Sequence, residues 1–156
     1  MKKWTALILA FVMCFALCAC GANGTKKSQE EIEKTNKAVE SANHVLDVTF
    51  SERSAFSTWF NVDGDYNEAT NVYTVNVTYN MEGIENWVVS EYPAAKTAAG
   101  LRESYVESAC ETLKGDSLDA LMVIIKGLIP PSTFPDELGT EVVYQFTDET
   151  GTTTTY

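Results

Sequence analysis

Histidine is almost missing from this sequence: His44 is the only one in 156 residues. Cysteine is scarce beyond the start of the chain, because Cys14, Cys18 and Cys20 fall within the first twenty positions and Cys110 stands alone further on. One imidazole and one distant thiol cannot assemble a four-ligand zinc site. Basic residues are outnumbered, with 11 Lys and Arg against 22 Asp and Glu and a formal net charge of −11. That balance excludes nucleic acid as a partner, since phosphates demand a basic surface. It also excludes an electrostatic grip on anionic lipid. No Gly-x-Ser-x-Gly elbow, phosphate loop or dinucleotide fingerprint occurs. No cofactor and no metal are expected.

The hydrophobic residues are distributed unevenly. Trp4 to Ala19 is an apolar run of 16 residues broken only by Thr5, and Lys2 and Lys3 precede it. It is short of the ~20 residues that a spanning helix needs. A basic start, an apolar core and small residues after it are the three parts of an export signal. The run ends in Leu17-Cys18-Ala19-Cys20-Gly21. These residues resemble the lipobox of bacterial lipoproteins, in the style common in Gram-positive Firmicutes. In that family the cysteine thiol accepts a diacylglyceryl group and a peptidase then cuts before it. Leu17 and Ala19 match the pattern, whereas Cys18 stands where Ala or Ser is commoner. The resemblance implies that residues 1–19 are a lipoprotein signal peptide. It implies that Cys20 is the lipidated first residue of the mature chain, anchored on the extracytoplasmic face of the cell membrane. The competing reading is an ordinary secretory signal cut after Gly21 or Ala22.

A chain beginning at Cys20 would have 137 residues and a formal charge of −13. Attachment would rest on acyl chains, at ~0.8 kcal/mol per buried CH₂. With Cys20 lipidated, Cys110 has no partner for an intrachain disulfide. A domain of this size can bury enough apolar surface without one.

Residues 20–27 read as a polar, flexible tether and residues 28–156 as a single domain. Ser28-Gln29-Glu30-Glu31 has the form of a capping box. Ile32, Val39 and Leu46 fall seven apart behind it, predicting an amphipathic helix to about Leu46. Phe56, Phe60 and Val62 alternate with polar residues, as do Tyr73, Val75, Val77 and Tyr79, predicting two strands. Asp63 to Asn71 reads as the polar turn of a hairpin between them. Ile84, Trp87 and Val88 predict a short helix ending near Pro93. Leu101, Tyr105, Ala109 and Leu113 predict a longer one, and Gly115-Asp116-Ser117 a break. Leu118, Leu121, Met122 and Ile125 predict a third helix, with Gly127 as its C-terminal cap. Three prolines mark Leu128 to Pro135 as loop. Val142, Tyr144 and Phe146 then alternate, and Thr152 to Tyr156 pairs back after a turn at Asp148–Gly151.

Segregated strands and helices predict an α+β fold: an antiparallel sheet of about four strands with helices packed on one face. The stretch Glu68 to Thr78 also resembles small uncharacterised lipoproteins of Firmicutes that place such a strand after an amino-terminal helix. That resemblance implies no activity.

Four constellations carry potential chemistry. Asp63-Gly64-Asp65-Tyr66-Asn67 begins like a calcium loop, but Glu68 stands where the tight-turn glycine belongs and Thr74 where a bidentate glutamate belongs. A hairpin loop explains the same residues. Cys110 and His44 could form a thiol dyad only if the fold brought them together. A thiol beside Ala109 on a helix reads more simply as a small core hydrophobe. Glu103, Glu107 and Glu111 form an acidic row that reads as a solvated helix face. Trp59, Trp87, Tyr66 and Tyr92 could stack on sugars or anchor a protein, against the plain alternative that they are core. Trp59 falls on the opposite side of its strand from Phe56 and Phe60. It is therefore the candidate ligand-binding residue, on a sheet face shared with Ser57, Asn61, Thr74, Asn76 and Thr78.

The expected function is that of a membrane-anchored, non-enzymatic binding or interaction module, with an extracellular protein or glycan as partner. A solute-binding or accessory component of a transporter or sensor system is the alternative, and a deep pocket would favour it. A carboxylate-based cell-wall hydrolase would instead require two facing acids in a cleft.

Overall fold

The computed structural model describes residues 27–51 and 54–156. The expected signal peptide at 1–19, the expected lipidation site Cys20 and the expected tether up to Lys26 lie outside the described residues. Residues Glu33–Tyr156 form one compact unit.

The first helix, α1, spans Gln29–Thr49. Its capping box forms as the sequence predicts: the Glu31 N–H donates to Ser28 Oγ at 3.2 Å, and the Ser28 N–H donates to the Glu31 carboxylate at 2.6 Å. The deepest positions of this helix are Thr35, Ala42 and Leu46. Val39 is only partly buried, and Ile32 is exposed.

The chain then turns before it becomes a strand. The Ser57 hydroxyl donates to the Ser54 carbonyl at 2.8 Å, and the Phe60 N–H donates to the Phe56 carbonyl at 2.9 Å. Hydroxyls that bond nearby backbone offer it an alternative to a ladder. Strand β1 is consequently Phe60–Asn67, four residues later than the alternation at Phe56 suggests. Asp63 to Asn67 lie inside the strand and not in a turn. The reversal occurs over Glu68 to Asn71. There Asn67 Oδ1 accepts from the Ala69 and Thr70 N–H groups, and Asn71 takes the left-handed conformation at φ 56°. Strand β2 is Val72–Tyr79 and pairs antiparallel with β1, Phe60 opposite Tyr79.

Asn80 caps the next helix, its side-chain oxygen accepting from the Gly83 N–H at 3.0 Å. Helix α2 is Met81–Glu91 and helix α3 is Ala99–Thr112. A five-residue wide turn at Leu113–Ser117, opened by Gly115 at ψ −125°, joins α3 to α4, Leu118–Leu128. Gly127 lies within α4 rather than capping it; the cap is Ile129, whose N–H bonds the Ile125 carbonyl. Strands β3, Glu141–Thr147, and β4, Thr153–Thr155, complete the fold.

The sheet order is β1-β2-β3-β4. The fold is α+β, with four strands and two antiparallel pairings. The central pair, β2 with β3, is parallel, Val72 opposite Glu141. Helices α2 to α4 supply the long crossover that a parallel pair requires.

One sheet face is core. Tyr73, Val75, Val77 and Tyr79 of β2 are buried with Phe60, Tyr144 and Phe146 and with Val88, Cys110, Leu121 and Ile125 from the helices. Each buried tyrosine hydroxyl is satisfied, as buried polar groups must be. Tyr73 donates to Asn43 of α1, Tyr79 to the Cys110 carbonyl and Tyr144 to the Ile129 carbonyl, all at 2.6 Å. Burial pushes the Tyr73 phenol up to about 12, with Asp63 and Asp47 adding to the shift. The other face is polar. Asn61, Asp63 and Asp65 are exposed in β1, and Thr74, Asn76 and Thr78 are partly exposed in β2.

Candidate functional site: an aromatic cleft

Trp59 does not join the polar sheet face. Because β1 begins at Phe60, Trp59 belongs to the preceding turn, and its indole packs on the helical side of the molecule. It meets Trp87 of α2 edge-to-face, with ring centroids 5.0 Å apart and planes at 72°. Trp87 in turn meets Tyr92 edge-to-face at 6.2 Å and 85°. Tyr92 lies flat against Tyr105 of α3, at 4.3 Å and 9°.

Local sequence explains how the four rings converge. Trp87 lies between the buried Ile84 and Val88 on α2, so it flanks that helix's core face. Tyr92 precedes Pro93, which forbids it a helical conformation. It adopts φ −121° and ψ 81° and ends α2 with its N–H on the Val88 carbonyl. The short turn Pro93–Lys96 is tied to α3 by Arg102, whose Nε donates to the Ala95 carbonyl at 3.2 Å. That tie brings Tyr92 beside Tyr105.

The rings enclose an open cleft of about 310 Å³, completed by Ser108, Ala109 and Thr112 of α3 and by Leu113 of the wide turn that follows. The volume lies at the small end of ligand sites. Thr112 Oγ1 already donates to the Ser108 carbonyl at 2.9 Å. The lining therefore offers aromatic surface, the neutral polar groups of Trp59, Trp87, Tyr92, Tyr105 and Ser108 and, among the described residues, no charged side chain. Trp87 also borders a shallower depression of about 690 Å³ that includes Ser57, Asn61, Asn80 and Asn86.

Three of the four aromatics singled out from the sequence meet here. Tyr66 does not; its hydroxyl donates to Asn71 Oδ1 at 2.8 Å. Tyr105 was missed, because its stripe of Leu101, Ala109 and Leu113 reads as core. In the structure Leu101 is exposed, and the buried positions of α3 are Val106 and Cys110. That shift by one residue leaves Tyr105 and Ala109 facing the cleft.

The remaining constellations stay apart. Cys110 is 1% exposed. Burial raises its thiol to about 11, with Glu149 adding to the shift. His44 is exposed on α1, in a groove with Asn36, Glu40 and Asp47. Glu103, Glu107 and Glu111 are all exposed, as a solvated face would be. Asp63 and Asp65 point from an extended strand to one side, so they do not wrap an ion, and Asp63 accepts from Asn76 at 3.1 Å. Among the described residues no cluster of three His, Cys, Asp or Glu could hold a metal ion. Among them, too, no helix is long and apolar enough to cross a membrane.

Comparison with protein families, curated proteins and solved structures finds no match to this chain.

Proposed function

We propose that this chain is a lipid-anchored, extracytoplasmic, non-enzymatic binding module whose binding surface is the aromatic cleft. The observation that carries the binding role is the convergence of Trp59, Trp87, Tyr92 and Tyr105 around one solvent-open space. Aromatic anchors exposed in a concavity are the usual energetic centre of a recognition site. The polar sheet face, with its amides, hydroxyls and carboxylates, contains no such anchor. A cleft of this size supports small-solute binding, which keeps an accessory role beside a transporter or sensor as the second reading. The anchoring role is supported by the lipobox-like Leu17-Cys18-Ala19-Cys20.

Two measurements test the halves of the proposal separately. Detergent-phase partitioning of the expressed full chain is expected to move from the detergent to the aqueous phase on Cys20→Ala. Retention of the alanine variant in the detergent phase would show the anchor to be wrong. For binding, a thermal-shift panel of sugars, amino acids and alkylammonium salts should contain compounds that raise the melting temperature of wild type. The rise should disappear in Trp59→Leu, which keeps apolar bulk but removes the ring. A panel without any stabilising compound, or a rise that survives the substitution, rules out this cleft as the site.

A further inference from the structure

We infer that the cleft accommodates a quaternary ammonium group, a compact cation that carries methyl groups in place of N–H donors; this rests on the cleft being the binding site. Three features lead there. The first is ring geometry. Trp59, Trp87 and Tyr92 meet at 72° and 85°, so consecutive walls form corners and not a parallel-sided slot. The one parallel pair, Tyr92 on Tyr105, is closed at 4.3 Å and admits no flat ring between its members. A corner of ring surfaces suits a rounded group. The faces of Trp and Tyr carry the negative side of the ring quadrupole, which attracts cations.

The second feature is that, among the described residues, no carboxylate lines the cleft. The hydroxyls of Tyr92, Tyr105, Ser108 and Thr112 and the indole N–H groups of Trp59 and Trp87 are all neutral, and Thr112 Oγ1 already donates to the Ser108 carbonyl. A primary ammonium would seek strong acceptors for three N–H groups, and none of those present is charged. A quaternary ammonium has no donors to satisfy.

The third feature is charge. Among the described residues no cation lines the cleft to meet an anionic ligand. The chain as a whole carries −11, which favours the approach of cations.

The test is isothermal titration calorimetry on the full-length chain in a polyoxyethylene detergent, with choline chloride as the probe. The controls are 3,3-dimethylbutan-1-ol, ethanolamine and N-acetylglucosamine. The first is the uncharged carbon isostere of choline, and the second keeps the charge but adds N–H donors. Choline should bind saturably and at least about tenfold more tightly than the isostere, as one desolvated cation–ring contact allows. Tyr92→Leu and Trp87→Leu should each weaken choline about fivefold or more, with unchanged far-ultraviolet circular dichroism. Tyr92 is 41% exposed, so its replacement is well placed to leave the fold intact. Equal binding of choline and its isostere would overturn the cation and leave an apolar binding cleft. Saturation by N-acetylglucosamine or ethanolamine in place of choline would overturn it in favour of hydrogen-bonded recognition at the same site. Choline binding untouched by both substitutions, or absent altogether, would overturn the inference outright.

Discussion

Asn71→Ala should lower the stability of the domain by roughly 3 kcal/mol, since it removes several hydrogen bonds at ~1 kcal/mol each and forces a Cβ without a polar group into a left-handed turn. Asn71 sits at φ 56°, a conformation that asparagine tolerates better than alanine. Its side chain also joins the two halves of the sheet. Nδ2 donates to the Leu138 and Gly139 carbonyls at 2.9 and 2.8 Å. Oδ1 accepts from the Tyr66 hydroxyl at 2.8 Å and from Thr140 Oγ1 at 3.0 Å. The backbone continues the junction, the Glu141 N–H donating to the Asn71 carbonyl at 3.1 Å. Asn71→Gly should recover about 1 kcal/mol of the loss by relieving the backbone alone. Urea unfolding of the three proteins is the measurement. If glycine restores wild-type stability, the hydrogen bonds contribute nothing and only the turn conformation matters. If glycine and alanine are equally destabilised, the backbone contributes nothing.

Gly64→Ala should be nearly as damaging, at roughly 2–4 kcal/mol from overpacking and a broken buried hydrogen bond. Gly64 has no unusual φ, so its backbone freedom is not the reason. A Cβ built there would lie 1.9 Å from the Tyr73 hydroxyl oxygen and 2.4 Å from Asn43 Oδ1. The missing side chain is the space through which Tyr73 reaches α1. An alanine must displace a ring held against Phe134, at a centroid distance of 5.0 Å, or push α1 away. Since the hydroxyl is the nearest obstacle, Gly64→Ala should cost less in a Tyr73→Phe background, by at least about 1 kcal/mol. Additive losses in that double-mutant cycle would place the clash elsewhere.

Local chemistry was legible where one short-range signal dominated. Ser28 and Glu31 announce the start of α1, and the alternation of Val72–Tyr79 announces a strand with one buried face. The buried stripe Leu118, Leu121, Met122 and Ile125 likewise identifies α4. Where two local signals competed, the reading slipped. Phe56 and Phe60 suggest alternation, but the Ser54 and Ser57 hydroxyls bond the backbone into turns and delay β1. Asp63-Gly64-Asp65 looks like turn chemistry. It is tolerated in a strand because β1 is an edge of the sheet, its aspartates face solvent and its glycine lies under Tyr73. The parallel pairing of β2 with β3 left no local trace, because register between distant strands is set by packing of everything between them. The cleft shares that difficulty. Trp59, Trp87 and Tyr92 could each be named from the sequence, but their meeting depends on where β1 starts and on how Pro93 ends α2. Tyr105 stayed hidden because a half-buried stripe and a buried one differ by a single residue on α3.

The parallel pairing at the centre of the sheet also sets the order in which the fold can be completed. Each residue of β2 from Val72 to Thr78 faces a partner 69 positions later, Val72 with Glu141 and Thr78 with Thr147. The hairpin of β1 and β2 closes over a short turn, and the helices gain most of their contacts locally. The seam between β2 and β3 must instead wait for a loop of 61 residues, Asn80 to Thr140, to close. Long-range closure of this kind slows folding relative to local contacts. A chain synthesised only as far as Leu138 would have every helix and half a sheet, with the apolar, β-branched Val72–Tyr79 as an unprotected edge. Such an edge is a template for pairing with other chains. The pairing of Glu141–Thr147 thus covers that edge as well as completing the core.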